Sequence, residues 1–155
     1  MRENSTQYIA FSELQPFVLS TPDKKWKYEL IKLSYSDVKS FVNDENLIVF
    51  LGLNNSDKEM DEQAVFAIDV PNEEELLKMN PNGTLIPALP GTMALEPSEA
   101  GILAEARTML DWLDRYKFCA TCGSSTTVTE GGHKRTCNNK DCKTNKGKNI
   151  TVKLV

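Results

Sequence analysis

The chain has 155 residues, of which 40% are apolar and 26% are charged, and its net charge is −4; this composition excludes wholesale disorder. No apolar run approaches the roughly 20 residues that a membrane span needs, and the N-terminus lacks the hydrophobic segment of a secretory signal. The sequence therefore predicts an intracellular protein that is not embedded in a membrane.

The charge is divided unevenly along the chain. Residues 1–114 carry 9 basic and 20 acidic side chains, whereas residues 115–155 carry 9 basic and 2 acidic ones. All four cysteines also lie in the basic part. Because a sharp shift of composition marks a module boundary, we predict an acidic domain at 1–114, a small cysteine module at 115–145 and a C-terminal tail at 146–155.

Hydrophobic periodicity in the acidic part predicts an α+β domain. The first expected elements are a half-buried strand at 28–33, a helix at 34–42 opened by a Ser34/Asp37 capping box, and a strand at 46–53 buried on both faces. A polar loop at 54–63 and a strand at 64–70 follow. The remaining elements are a short helix capped by Asn72, a loop at 84–97 and a long helix from Ser98 to about Lys117. The two apolar strands are expected to form the core of a sheet.

The cysteine module has the spacing of a structural zinc site. The pattern C-x2-C-x14-C-x4-C is formed by Cys119, Cys122, Cys137 and Cys142. Gly123 allows the positive φ that such a turn needs, and the Gly131-Gly132 pair predicts a hairpin that folds the second cysteine pair onto the first. Four thiolates close a tetrahedron, so we predict structural Zn2+ with no open position for a catalytic water.

Two disulfides and a redox dithiol are the competing interpretations of the cysteines. Without a secretory signal the compartment is reducing, which disfavours disulfides. A redox dithiol needs only one C-x2-C pair, normally after the strand of a thioredoxin-like unit. Zinc therefore accounts better for two pairs at this separation.

The remaining candidate groups have simpler interpretations. His133 is the only histidine, and we predict a strand residue beside the hairpin turn rather than a fifth ligand or a general base. The acidic clusters within 57–62 and at 73–75 are predicted to be solvated charges rather than a cation site. Trp112 and Phe118 are predicted to pack in the core rather than to stack on bases.

Many of these residues together match a known family. The matching positions are the run from Ala104 to Trp112, Arg115, Phe118, Cys119, Cys122, Gly123, Glu130-Gly131-Gly132, Lys134-Arg135, Cys137, Cys142 and, with weaker similarity, Leu47 to Gly52 and Phe66 to Asp69. They resemble the N-terminal domain and zinc ribbon of the NADH pyrophosphatase branch of the Nudix hydrolases.

The resemblance implies both a fold and a function. It implies a Nudix-like N-terminal mixed sheet with helices, then the ribbon, and in family members a catalytic Nudix domain that uses Mg2+ or Mn2+. Such enzymes hydrolyse NADH or NAD+ to nicotinamide mononucleotide and AMP, some remove NAD caps from RNA, and dimers are common.

The sequence departs from this family at the catalytic motif. The pattern G-x5-E-x7-R-E-x-x-E-E-x-G, whose glutamates hold the divalent cations, does not occur in the 155 residues, where the only Arg-Glu pair is Arg2-Glu3. The residues from Lys143 to Val155 also replace the aromatic-Pro-Arg run that leads family members into the catalytic domain. We therefore expect a truncated form (an isoform, an incomplete gene model or a fragment) that has no catalytic or NAD(H)-binding residues and is inactive alone.

The sequence is consistent to different degrees with four functions. The first is the non-catalytic part of a NADH pyrophosphatase, and the second, a hydrolase with an unrecognised acidic site, is disfavoured by the missing motif. The third is a nucleic-acid-binding ribbon that uses Lys134, Arg135, Lys140, Lys143, Lys146 and Lys148. The fourth is a regulatory module that forms homodimers or pairs with a full-length enzyme. The expected compartment is the cytoplasm or the peroxisome ahead of the mitochondrion.

Overall fold

The computed structural model describes residues 6–43, 46–54 and 63–145. Within these ranges the chain forms an α+β domain followed by a two-stranded hairpin. Its strands are β1 (Thr6–Ser12), β2 (Gln15–Ser20), β3 (Tyr28–Leu30), β4 (Lys32–Leu33), β5 (Ile48–Asn54), β6 (Gln63–Asp69), β7 (Gly83–Leu85), β8 (Thr126–Thr129) and β9 (Lys134–Cys137). Its helices are α1 (Tyr35–Val38), α2 (Glu73–Met79), α3 (Ala88–Gly91) and α4 (Pro97–Arg115). None of these helices combines the length and the apolar character needed to cross a membrane.

The described strands of the domain form one mixed sheet. Its main path runs β3-β2-β1-β6-β5, while β4 pairs with β1 and β7 pairs with β2. β1 and β6 are parallel, with Tyr8 opposite Phe66, and the other pairs are antiparallel. A two-residue turn at Glu13 and Leu14 joins β1 to β2, and both residues have positive φ, at 50° and 62°. This backbone matches the right-handed twist of a hairpin.

Side chains cover both faces of the central strand β1. Ile9 and Phe11 point into a core shared with α4, whereas Tyr8 and Ala10 belong to a second core that includes Leu76 of α2. This alternation follows from the two-residue period of a strand. The sheet therefore lies between two apolar layers, with α4 on one face.

The long helix α4 agrees closely with the sequence-based expectation. Pro97 occupies its first turn, one residue earlier than predicted, and the helix ends at Arg115 rather than near Lys117. Its buried residues are Leu103, Ala106, Met109, Leu110, Trp112 and Leu113. The helix leads directly into the first cysteine pair, which fixes where the small module begins.

Four of the expected elements differ in the structure. The strand expected at 28–33 is divided into β3, which pairs with β2, and β4, which pairs with β1. β5 is an edge strand in which only Val49 is buried and Leu53 is 54% exposed, so the prediction of a strand buried on both faces is wrong. α1 keeps the capping interaction, in which Asp37 Oδ2 accepts from the Ser34 N–H at 2.8 Å. The helix nevertheless ends at Val38 because the Phe41 N–H donates to the carbonyl three residues back, which tightens the turn.

The segment predicted as a loop at 84–97 is also partly structured. β7 pairs with β2 in a register that sets Leu85 opposite Phe17, and α3 follows it. Gly83 is required there because a β-carbon at this position would overlap the Phe17 ring. The expected loop at 54–63 lies mostly outside the described residues.

Candidate metal centre and its attachment to the sheet

The four cysteines converge on one point although Cys119 and Cys122 follow α4, Cys137 ends β9 and Cys142 follows the hairpin. Their Sγ atoms all lie within 4.8 Å of one another, with Cys119 and Cys142 3.9 Å apart and Cys122 and Cys137 3.6 Å apart. Four sulfurs at about 2.3 Å from one ion would be about 3.8 Å apart at the edges of a tetrahedron. The cluster therefore fits a tetrahedral metal ion such as Zn2+.

Local backbone hydrogen bonds shape the first cysteine turn. The Gly123 N–H donates to the Cys119 carbonyl at 2.8 Å, and the Cys119 N–H donates to the Ser124 carbonyl at 2.7 Å. Gly123 has a φ of 74°, which confirms the prediction that glycine is needed at this position. Both sulfurs of the first pair consequently face the same point.

An asparagine side chain shapes the second turn. Asn145 Nδ2 donates to the Cys137 carbonyl at 2.9 Å and to the Asn139 carbonyl at 2.7 Å. The Thr144 hydroxyl donates to Cys142 Sγ at 3.1 Å. These bonds hold the four-residue gap between the last two cysteines in a compact turn.

The environment divides the thiols into two kinds. Hydrogen bonds from Ser124 lower the pKa of Cys122 to about 6, and backbone hydrogen bonds at Thr121 and Cys122 lower the pKa of Cys119. Burial raises the pKa of Cys137 to about 11. Cys122 therefore supplies a thiolate more readily than Cys137, whose proton a metal ion must displace.

The rest of the described chain holds no second cluster of this kind. Among residues 6–43, 46–54 and 63–145, only these cysteines bring three or more His, Cys, Asp or Glu ligand atoms together. The acidic residues at 73–75 lie in the first turn of α2, where the Asn72 side chain caps the helix by accepting from the Glu75 N–H. The acidic residues at 57–62 lie outside the described residues.

The glycine turn between β8 and β9 packs directly on the edge strand of the sheet. A β-carbon on Gly132 would lie 3.0 Å from the Ile48 carbonyl oxygen and 3.0 Å from Val49 Cα. His133 Nε2 lies 2.6 Å from the Phe50 carbonyl oxygen, which accepts its hydrogen. The cysteine module therefore covers the β5 edge at Ile48 to Phe50.

A second attachment joins the hairpin to the end of α4. Arg135 Nη1 donates to the Leu113 carbonyl at 2.9 Å, and Arg135 Nε donates to Thr126 Oγ1 at 2.7 Å. The Thr126 hydroxyl donates in turn to the carbonyls of Tyr116 and Lys117. Arg135 thus satisfies one of the helix carbonyls that lack an intrahelical partner.

Comparison with known proteins decides the family. A family model described as the NADH pyrophosphatase-like rudimentary NUDIX domain matches residues 5–112. This chain belongs to that NUDIX-like family. The match contains the mixed sheet and most of α4.

Relatives of the NUDIX-like chain extend past the domain into the cysteine module. It is 34% identical to the NAD-capped RNA hydrolase NUDT12 of Homo sapiens and of Macaca fascicularis, across 89% of this chain. It is 28% identical to the NAD-capped RNA hydrolase of Schizosaccharomyces pombe, across 87% of this chain. The chain spans 35% of the length of the first two relatives and 42% of the third.

Three aromatic residues of the NUDIX-like chain can be compared with their predicted roles. Trp112 is buried, as expected, but Phe118 is 68% exposed, so its predicted core role is wrong. Phe118 follows the end of α4, and Tyr116 beside it is 53% exposed. His133 lies in the hairpin turn, one residue before β9, and not in the strand as predicted, and the sequence gives no indication of its contact with Phe50. No local pattern could reveal it, because the two residues are 83 positions apart.

Proposed function

We propose that this chain is the non-catalytic part of a NAD(H) and NAD-capped RNA hydrolase, in which a rudimentary NUDIX domain carries a structural zinc ribbon. The observation that carries the proposal is the family match over residues 5–112, together with the absence of the glutamate-rich motif from the sequence. Cleavage of a pyrophosphate needs cations held against the phosphates. A catalytic domain with Mg2+ or Mn2+ must therefore be supplied by additional sequence or by a partner subunit.

A hydrolysis assay tests the absence of catalysis. The purified chain is incubated with NADH and Mg2+, and separately with Mn2+, and AMP is quantified by chromatography. A full-length relative serves as the positive control. We expect no AMP above the protein-free background. Turnover that survives repurification and disappears with EDTA would contradict the proposal and favour an unrecognised acidic site.

Zinc is the proposed metal because four cysteine sulfurs at tetrahedral spacing suit Zn2+ best among the common ions. The bound ion would have no open position, so its role is to hold the ribbon in shape. A compartment that keeps thiols reduced is required, because disulfides would remove the ligands. An intracellular location agrees with this requirement.

Metal analysis and cobalt substitution test the zinc site. We expect about one zinc per chain by the four-thiolate stoichiometry, and an intense thiolate-to-cobalt absorption band when Co2+ replaces zinc. Cys137→Ser should abolish this band. Lys140→Ala, a change at an exposed position between Cys137 and Cys142, is the control and should leave it intact. A chain that folds fully without metal and binds no Co2+ would contradict the proposal.

A pairing function is a second candidate, and the exposed aromatic residues support it. Tyr116 and Phe118 lie at a cleft of about 280 Å3 between the end of α4 and the ribbon, which Trp112 and Lys134 also line. Aromatic residues are enriched in protein–protein interfaces relative to the rest of the surface. We propose that a second copy, or the catalytic domain of a full-length enzyme, covers this cleft.

Co-purification tests the pairing function. The tagged chain is expressed with an untagged full-length relative, and the mass of the complex is measured by light scattering. We expect Phe118→Ser to abolish association, whereas Leu53→Ser, which removes another exposed apolar residue, should leave it unchanged. A monomer at all concentrations that captures no full-length enzyme would refute this candidate.

The contacts of the ribbon weaken the nucleic-acid interpretation of that module. Arg135 is half-buried and donates to Leu113 and Thr126. Lys134 forms an ion pair with Glu130 at 2.9 Å. Two of the cations on which this interpretation depends are thus engaged within the fold.

A further inference from the structure

A second, larger groove lies on the NUDIX-like domain itself, between the β2–β3 connection and the segment that follows β7. We call it the Trp26 groove, and it encloses about 550 Å3. One wall is formed by residues 25–28 and the other by Ile86, Pro87, Pro90, Gly91, Met93 and Ala94. None of the groups used in the proposed function lines it.

The first wall combines lysines with aromatic rings. Lys24, Lys25 and Lys27 supply three of the nine basic residues of the acidic part of the chain, and Trp26 and Tyr28 alternate with them. Lys25 Nζ lies 4.9 Å from the centre of the Trp26 ring. This wall is therefore richer in lysine than the rest of a strongly acidic domain.

Three carboxylates lie near this wall, in an adjoining cavity that shares Lys25, Trp26 and Tyr28 with the groove; they belong to Glu29, Glu96 and Glu99. Glu29 forms an ion pair with Lys24 at 2.5 Å, and Glu99 accepts a hydrogen bond from the Leu30 N–H at 3.2 Å. Glu96 lines this cavity and a further one, but not the groove itself. Lys25 and Lys27 are exposed, and both line the groove. These two cations are available to an anionic ligand.

Hydrogen bonds hold the wall in place before any ligand binds. The Thr21 N–H donates to the Lys27 carbonyl at 2.7 Å, and the Thr21 hydroxyl donates to the Trp26 carbonyl at 2.8 Å. The Lys27 N–H donates across the groove to the Ala94 carbonyl at 3.0 Å. The rings consequently need little ordering on binding, which favours affinity.

The opposite wall presents unusually exposed apolar groups. Met93 is 79% exposed and lines the groove, and Leu89, which is 80% exposed, lies beside its prolines. The groove thus offers apolar contact on two sides and positive charge along one rim.

We propose that the Trp26 groove binds a single-stranded polynucleotide, with bases against Trp26 and Tyr28 and phosphates beside Lys25 and Lys27. Stacking on aromatic rings together with cations along the backbone is the general mode of single-strand recognition. An acidic peptide would use the lysines but would leave the ring faces without a planar partner. The proposal requires neither the zinc nor the hydrolase assignment, so it can fail or succeed independently of them.

Fluorescence anisotropy of the full chain tests this site. The probes are fluorescein-labelled 12-residue oligouridylate and oligothymidylate, titrated between 50 and 200 mM salt. We expect binding to weaken as the salt concentration rises. Lys25→Glu combined with Lys27→Glu should lower the affinity at least about tenfold. The pair should also reduce the slope of log affinity against log salt concentration (the salt slope) by about 1.4, which corresponds to two phosphate contacts. Equal binding of both probes would indicate that the groove recognises features that RNA and DNA share. Stronger binding of oligouridylate would indicate a preference for RNA.

Two further variants separate charge from stacking. Lys140→Glu combined with Lys143→Glu makes the same charge change at exposed positions of the ribbon and should alter affinity less than about twofold. Trp26→Ala should weaken binding roughly tenfold and leave the salt slope unchanged, because stacking is not ionic. Circular dichroism confirms that each variant is folded, and the exposed lysine pair remains informative if Trp26→Ala unfolds.

Three results would overturn the proposal. The first is no binding of either probe at 50 mM salt. The second is an equal loss of affinity in the groove pair and in the ribbon pair. The third is a glutamate-rich peptide that binds as tightly as the oligonucleotides and displaces them, which would identify an acidic-peptide site.

Discussion

Asp69 gives the sharpest test of the electrostatics of this domain. It ends β6, and its Oδ1 atom is buried without a hydrogen-bond partner among the described residues. Burial, followed by the charges of Asp114 on α4 and Glu13 in the β1–β2 turn, raises the pKa of Asp69 from the ordinary value of 3.8 to about 6. The perturbation we choose is Asp69→Asn, which keeps the shape of the side chain and removes its charge.

The expected magnitude follows from linkage. Because the pKa of Asp69 is higher in the folded chain, its contribution to stability is fully present below about pH 3.8 and is lost as the pH rises through about 6. The gap between the two values corresponds to about 3 kcal/mol. Solvent screening of the partly exposed carboxyl reduces this to about 1.5 kcal/mol. We therefore expect the Asn variant to be about 1.5 kcal/mol more stable at pH 8.

Urea unfolding between pH 5 and pH 8, at constant zinc, measures this difference. Roughly half of the stability difference between Asp69→Asn and the parent should develop above pH 5. The other half develops below pH 5, because Asp69 of the unfolded chain loses its proton near pH 3.8. Asp23→Asn, at an exposed position, is the matched control and should show no such growth with pH. A difference between Asp69→Asn and the parent that is constant over this range would refute the reasoning, as would a destabilised variant at pH 8.

Three further predictions concern packing and the attachment of the ribbon. Gly132→Ala should destabilise the ribbon–sheet contact by about 1–3 kcal/mol in urea unfolding, because the φ of Gly132 is 97° and the added β-carbon would lie 3.0 Å from Val49 Cα. The control Gly101→Ala on α4 should stabilise the chain by up to about 1 kcal/mol in the same experiment. Leu110→Ala should lose about 2–5 kcal/mol in urea unfolding, because the side chain is fully buried under the sheet; a loss below about 1 kcal/mol would contradict this packing. His133→Ala should lower the free energy of unfolding by about 1 kcal/mol and selectively speed amide hydrogen exchange in β5, because the hydrogen bond to the Phe50 carbonyl is lost. Unchanged exchange in β5 would show that this hydrogen bond is not formed in solution.

The cysteine site could be predicted from the sequence because its information is local. Each pair lies within six residues, and one hairpin with a Gly-Gly turn is enough to bring the pairs together. Gly123 and the hairpin strands were confirmed for the same reason. Short-range spacing determines this geometry whatever the rest of the chain does.

The sheet was harder to predict because its order depends on distant contacts. No expectation covered β1, yet β1 is the central strand and pairs in parallel with β6, with Ala10 opposite Ile68. The apolar run of β5 was interpreted as a doubly buried strand. Its side chains are instead covered in part by the ribbon turn, where Gly131 approaches Phe50 Cβ. Hydrophobicity indicated burial correctly at the start of β5 but could not identify the covering element.

The predicted boundary near residue 114 stays a prediction, but contacts cross it at several points. Arg135 bonds to Leu113, and Val128 packs against the core shared by α4 and the sheet. Charge and cysteine content distinguish the two parts, and neither property reports on packing between them. The composition shift is thus compatible with a ribbon that is packed against the domain.

The position of the ribbon turn on β5 has a consequence for solubility. An uncovered edge strand presents backbone groups on which another chain can extend the sheet, which is the usual start of aggregation. Gly132 and His133 cover this edge from Ile48 to Phe50, and the cysteine cluster holds the hairpin that carries them. Metal bound by the cysteines would accordingly protect the domain from self-association, because it would stabilise the hairpin whose turn covers the β5 edge.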